Sequence, residues 1–166
     1  NRAPLGAHPV QGLLRKGWKA LRRYHQKNSV ERAKKQARHH YDLSTELYRL
    51  FLDDGLNYSC AYYTAPDESL EAAQDAKLTH LVAKLDLEDD MEVLEIGGGW
   101  GSLAIRMAQA GAKVTSLNVS PEQVKIAEER VRAAGVEDRV TFVLKDYREF
   151  EGRFDRVISV GMMEHV

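Results

Sequence analysis

This 166-residue chain has a single cysteine, only four prolines and no apolar run approaching the roughly 18–20 residues of a bilayer span. The lone Cys60 excludes an internal disulfide, which suits a reducing cytoplasm, and no cysteine–histidine cluster points to a bound metal. No charged stretch followed by an apolar run opens the chain as a secretory signal would. It begins on Asn1 and stops at Val166 directly after a strand-like run, and reads as a piece of something longer. Aromatics at 8% and ordinary hydrophobic content still suffice for one domain with a real core.

The net charge of −1 conceals an asymmetry. Residues 1–40 hold 11 Lys/Arg and one acid, Glu31, about +10, whereas 41–166 hold 13 Lys/Arg against 24 acids, about −11. A basic arm on an acidic body seeks an anionic surface: lipid headgroups, nucleic acid, or the body itself. On a helical wheel of residues 10–27, Val10, Leu13, Leu14, Trp18, Leu21 and Tyr24 share one side; Arg15, Lys16, Lys19, Arg22 and Arg23 share the other. Such a helix fits a membrane interface or a surface helix packed on the protein, and Gly12 and Gly17 weaken it in isolation. Ser29 can cap a further basic helix over 30–40. Three segments result: a basic helical one (1–40), a helical cap on the acceptor side (41–90), and an α/β portion (91–166).

Within 41–90, Ser44 is placed to cap a short helix carrying Leu47, Leu50 and Phe51, broken by Asp53-Asp54-Gly55. Ser69 opens a longer helix to about Leu87, with Leu70, Leu78, Leu81, Val82 and Leu85 inward. The chain then alternates: strand 91–96, helix 102–110, strand 113–119, a helix opened by Ser120-Pro121-Glu122-Gln123 and closed by Gly135, and strands 139–144 and 155–160. Repeated β-α-β with short connections predicts a parallel sheet covered by helices.

The first strand–helix turn, "VLEIGGGWGSLA" (93–104), is where a doubly wound sheet holds its ligand. Glycine there lets a ligand approach bare backbone and permits positive φ. A dinucleotide turn would read G-x-G-x-x-G with an acid about 20 residues on. Here Glu95 precedes Gly97-x-Gly99-x-Gly101, with Gly98 between, and Asn118 ends the second strand. That contracted spacing is the form seen in S-adenosylmethionine-dependent methyltransferases, whose ligand has no pyrophosphate and whose cationic groups a nearby carboxylate can offset. Asp146-Tyr147, after the third strand, can accept an adenine amino hydrogen and stack on the ring; Asp146 alone reads equally as a solvated loop acid.

"HHYDLSTELYRLFLDDGLNYSCAYY" (39–63), "VLEIGGGWGSLAIRMA" (93–108) and "FDRVISVGMMEHV" (154–166) together resemble the cyclopropane fatty acid synthase family, which includes the mycolic acid cyclopropane synthases. The resemblance implies a Rossmann-like methyltransferase fold, of which this chain would hold the first half of the sheet. It implies methylene transfer from S-adenosylmethionine to a cis double bond of a phospholipid acyl chain. By motif, Tyr58 and Ser59 would touch the cofactor's methionine part, and Gly97 and Gly99 its backbone cradle. Asn118, Val119 and Gln123 would take the ribose side, Asp146 and Tyr147 the adenine. The Cys60 amide and Glu164 would hold a bicarbonate ion, a modest base beside the carbocation left when an alkene attacks the sulfonium methyl. Two adjacent anions need a shared proton or surrounding donors. His165 reads as structural, and Tyr62, Tyr63 and Phe51 as acyl-pocket or core aromatics.

Two departures stand out. Gly98 sits where the family commonly has cysteine, a side chain away from the chemistry. The family's remaining bicarbonate ligands, a histidine and a tyrosine, and its last three strands would lie past Val166, so the segment alone is expected to be inactive. The implied setting is cytoplasmic, peripheral on the inner face of the membrane, with the basic segment on anionic lipid; a homodimer is admitted and nucleic acid is not expected. Rival readings are a methyl-branching lipid methyltransferase, an amine N-methyltransferase, a non-catalytic membrane-binding module, and a NAD-dependent oxidoreductase disfavoured by the glycine spacing and Asn118.

Overall fold

The computed structural model describes Trp18 and residues 45–162. The chain groups into two compact units, Asn1–Ala33 and Lys34–Val166. Trp18, the described residue of the first, is helical and 67% exposed. The rest of the basic helices expected over 10–27 and 30–40, together with Ser44, Glu164 and His165, lies outside the described residues.

The second unit opens with α1 (Thr45–Arg49), shorter than the apolar residues after it suggest. Leu50 and Phe51 fall in the turn beyond it, 80% and 52% exposed, and the buried residue of α1 is Tyr48. Helix α2 (Leu70–Leu85) begins where Ser69 caps it, the hydroxyl accepting from Ala72 N at 3.2 Å. Its C-terminal stop is Asp86, in the left-handed region at φ 48°. Leu78 and Leu85 are buried, and Leu81 and Val82 pack against the core from half-buried positions. Ala73, Gln74 and Lys77 are buried as well, so the inward face carries two polar side chains among its apolar ones. Ser69→Ala is expected to lower stability by about 1 kcal/mol, read from the denaturant midpoint, because one helix-start N–H loses its acceptor.

The alternating part follows as β1 (Glu92–Ile96), α3 (Ser102–Gln109), β2 (Lys113–Asn118), α4 (Pro121–Ala133), β3 (Val140–Leu144), a 3-10 turn (Tyr147–Glu149) and β4 (Arg156–Ser159). All pairings are parallel, in the order β3-β2-β1-β4. Register sets Ile96 opposite Leu117 and Ser159, and Asn118 opposite Leu144, so the strands' carboxyl ends lie together. α3 buries Leu103, Ala104, Met107 and Ala108, one stripe at helical spacing, and α4 buries Gln123, Ala127 and Val131 at every fourth position. With Val93, Val114 and Val140 from the sheet these make the main core. A second, smaller core joins Tyr48 and Leu56 of the upstream segment to Trp100 of the glycine turn. The Tyr48 and Trp100 ring centroids are 4.9 Å apart. Among the described residues β4 is an edge strand, with Val157 58% exposed.

Candidate functional site

Strand order reverses between β1 and β4: the chain runs outward through β2 and β3, then returns to the far side of β1. A crevice opens at the carboxyl ends of strands at such a point. Ser159 braces it, its hydroxyl donating to Ile96 O at 2.9 Å. The glycine turn arches over the end of β1, anchored by Gly97 and Gly98 N–H groups that both donate to Leu117 O, at 2.9 and 3.1 Å.

The four glycines divide into two kinds. Gly97 (φ 86°) and Gly99 (φ 53°) would point a β-carbon into space where the described residues place no atom within 4 Å beyond the chain neighbours. Gly98 and Gly101 face protein instead. A β-carbon on Gly98 would fall inside the Ser116 hydroxyl and 2.8 Å from Glu95 Oε2; one on Gly101 would meet Ala127 Cβ at 3.1 Å and Phe142 Cζ at 3.2 Å. The sequence reading set all four against the cofactor. The structure gives Gly98 and Gly101 a packing reason, because side chains of β2, β3 and α4 already occupy the space beside them.

A strap formed by residues 53–60 borders the crevice. Asp53, 4% exposed, shapes it by accepting from Gly55 N (2.9 Å), Asn57 N (2.8 Å) and Asn57 Nδ2 (2.7 Å). Leu56 takes φ 55°, a left-handed conformation uncommon for a branched apolar side chain, and is buried against Trp100 and Tyr48. Arg130 of α4 joins strap to glycine turn, Nη1 donating to Gly55 O at 2.9 Å and Trp100 O at 2.7 Å. Ser102 Oγ donates to Gly55 O as well. Burial pulls the Arg130 pKa down, Asp53 opposing and Arg49 adding to the effect. The strap thereby reaches β4: a β-carbon on Gly161 would sit 3.6 Å from Ser59 Cβ. Tyr58 is 59% exposed, and the Cys60 thiol is free and exposed.

From α2, Gln74 Nε2 donates to Ser59 O at 3.0 Å and Asn57 O at 3.3 Å, and Lys77 Nζ to Ser59 Oγ at 2.8 Å. Burial lowers the Lys77 pKa, with Asp53 and Cys60 pulling the other way. Sequence reasoning missed Gln74, Lys77, Arg130 and Ser116. The available signal for the first two was a pair of polar residues interrupting the apolar stripe of α2.

The expected ribose and adenine residues line the β2 and β3 ends. Asn118 is 5% exposed; Oδ1 accepts from Val119 N (2.7 Å) and Ser120 N (2.9 Å), and Nδ2 donates to Gly99 O (2.9 Å). It braces the β2–α4 turn against the glycine turn. Gln123 is buried in the first turn of α4, its N–H donating to Ser120 Oγ at 3.3 Å. Asp146 is 4% exposed rather than solvated and meets Arg148 through Nε (2.9 Å) and Nη2 (2.8 Å), while its Oδ1 also accepts Arg148 N. Carboxylate oxygens carry several lone pairs, so this pairing does not exhaust Asp146 as an acceptor. Tyr147 is 37% exposed beside it. Glu95 is 4% exposed and accepts from Ser116 Oγ at 2.6 Å. Burial pushes its pKa up to about 7 against the smaller opposing effect of that hydrogen bond. No group of three or more potential metal ligands occurs among the described residues.

The family model for mycolic acid cyclopropane synthetase matches residues 28–166. The chain belongs to this family. Among its relatives is a probable fatty acid methyltransferase of Pseudomonas putida, 46% identical over 131 residues, which are 77% of this chain and 33% of that protein. The cyclopropane-fatty-acyl-phospholipid synthase of Escherichia coli (strain K12) is 45% identical over 139 residues, 83% of this chain and 35% of that protein. The crystal structure of mycolic acid cyclopropane synthase CmaA1, complexed with SAH and CTAB, superposes with a TM-score of 0.75 at 33% identity, covering 80% of this chain and 47% of that one. The Rossmann-like methyltransferase fold that the resemblance implied is therefore the fold of this chain, and the β-α-β alternation had announced its parallel sheet. The chain spans about a third of the length of these curated relatives.

Proposed function

We propose that this chain is the cofactor-binding part of an S-adenosylmethionine-dependent enzyme that adds a methylene group to a cis double bond of phospholipid acyl chains. The observation that carries the reading is the open hollow over Gly97 and Gly99 at the strand-order reversal, with the Tyr58–Ser59 strap at its β4 side. Open backbone beside strand ends suits a nucleoside that carries an amino acid rather than a pyrophosphate. Bound S-adenosylmethionine supplies an electrophilic methyl on a sulfonium centre.

This chain's residues hold and aim it. Tyr58 and Ser59 take the amino-acid part, Gly97 and Gly99 lie against it, Asn118, Val119 and Gln123 border the ribose, and Asp146 and Tyr147 the adenine. Glu95 underlies the turn through Gly98, and Gly101 lets α3 start close against α4. The Cys60 amide and Glu164 would hold a bicarbonate ion, which would supply a base of modest strength for the proton lost from the new methyl group. Tyr62, Tyr63 and Phe51, 49%, 52% and 52% exposed in this chain, offer the acyl chain an apolar surface. The basic segment 1–40 recruits the protein to anionic lipid at the cytoplasmic face of the membrane.

Methyl branching of the same double bond is the second reading, since the chain is about equally similar to a probable fatty acid methyltransferase and to a cyclopropane-fatty-acyl-phospholipid synthase. Lipid analysis of a host with unsaturated phospholipids decides between them. Expression of the whole protein is expected to add one CH2 to unsaturated acyl chains, with cyclopropane ring protons by NMR, and Glu164→Gln to abolish both. Vinylic or branched-methyl signals in place of ring protons would select the second reading. Unchanged lipids would overturn both.

A further inference from the structure

Ser59 is held twice from α2, and the two holds do different things. Gln74 fixes its carbonyl and so the path of the strap. Lys77, 9% exposed, instead donates to its side-chain oxygen at 2.8 Å. An ammonium has donors only, and a serine hydroxyl has one proton. With a lone pair of Ser59 Oγ taken by Lys77, its O–H must point away from Lys77 and seek an acceptor. Ser59 lies beside Gly161 at the β4 end, where that acceptor can be a ligand in the crevice.

Charge points the same way. Asp53 is the carboxylate facing both Lys77 and Arg130, and its own oxygens are already engaged by Gly55 and Asn57. Two cations, one of them buried, share one carboxylate, and Arg49 adds positive charge beside Arg130. A low-dielectric surround makes such an excess attract an anion more strongly than water would allow.

We propose that Lys77 is a positioning residue that turns the Ser59 hydroxyl toward the carboxylate end of the amino-acid-bearing nucleoside and supplies the positive field that favours it. The inference rests on the cofactor reading above and deepens it by naming how the strap selects the cofactor's acidic terminus.

The test separates the two. Titration calorimetry compares S-adenosylhomocysteine with 5′-methylthioadenosine, which keeps the nucleoside and lacks the amino acid. Losing a charge-assisted contact is expected to weaken S-adenosylhomocysteine binding on the order of tenfold in Lys77→Met, with methylthioadenosine binding unchanged. Ser59→Ala should show the same ligand-selective loss, and Lys77→Arg should recover most of the affinity. Unchanged methylthioadenosine binding also shows that the variant is folded. Parallel losses for both ligands would make Lys77 a structural residue only and overturn the inference, as would no loss for either. Wild-type protein that binds neither nucleoside would overturn the cofactor reading and this inference with it.

Discussion

Gly98→Cys is expected to destabilise this protein by about 3 kcal/mol. The reason lies across the sheet. A β-carbon on Gly98 would collide with the Ser116 hydroxyl and approach Glu95 Oε2 at 2.8 Å, so the two side chains, buried and bonded to each other, would have to turn away. The collision costs overpacking and also breaks the 2.6 Å bond from Ser116 to a buried carboxyl group. Ser116→Gly in the same molecule empties the space. The double variant is therefore expected to lose the clash and to be about as stable as Ser116→Gly alone, a coupling larger than distant sites show. Ser116→Gly alone should be destabilising, since it leaves Glu95 without its donor and places glycine in a strand. Denaturant midpoints for the three variants and the parent close the cycle. A Gly98→Cys protein as stable as the parent would show that Ser116 is not what excludes a side chain there. Gly98→Ala, which adds the β-carbon without the thiol, checks that the effect is steric.

The glycine turn illustrates what a sequence displays and what it conceals. Strand β1, the turn and α3 were legible because hydrophobic period and glycine spacing are local signals. Ser69 and the Ser120-Pro121-Gln123 start of α4 announced themselves by capping chemistry, also local. The strap was legible only in part. Tyr58 and Ser59 were singled out through family resemblance, yet what holds them is Gln74 and Lys77, 15 to 18 residues away, and Arg130, 75 residues from Gly55. On a helix wheel a lysine reads as solvated, and no periodicity shows that its partner is a hydroxyl arriving from another element. Trp100 follows the same logic: its place in the motif was visible, but its burial against Tyr48 and Leu56 depends on a segment whose path was not. Asn118 was read as a ribose contact, and its amide is engaged by three main-chain groups around the turn. Polar residues with short side chains at strand ends serve backbone and ligand by the same atoms, so spacing alone does not distinguish the two uses.

Stability is expected to fall by about 3 kcal/mol as pH rises from about 4.5 to about 7, and the cause is Glu95. The sign follows from the direction of the shift. In the unfolded chain the carboxyl group titrates near its ordinary 4.5; in the folded protein burial holds it protonated to about 7. Below the lower value both states keep the proton and the group's contribution is fully present. Between the two values the unfolded chain gives up a proton that the native state retains, so each step in pH favours unfolding. Above about 7 both states are ionised and the loss levels off. This is opposite to the behaviour of a carboxylate held by a cation, whose stability is lost on acidification. Chemical denaturation at intervals from pH 5 to 8 should resolve the decline, and Glu95→Gln, which keeps shape and hydrogen bonding without a titrating proton, should flatten it. A profile that persists in Glu95→Gln would place the titration elsewhere. The same carboxyl group lies against Gly98 and Ser116, so the Gly98→Cys variant, by prying Ser116 from Glu95, should also change the pH at which the decline occurs. A common response of the two measurements would tie the strand-end acid, the β2 hydroxyl and the missing side chain of the glycine turn into one coupled unit beneath the crevice.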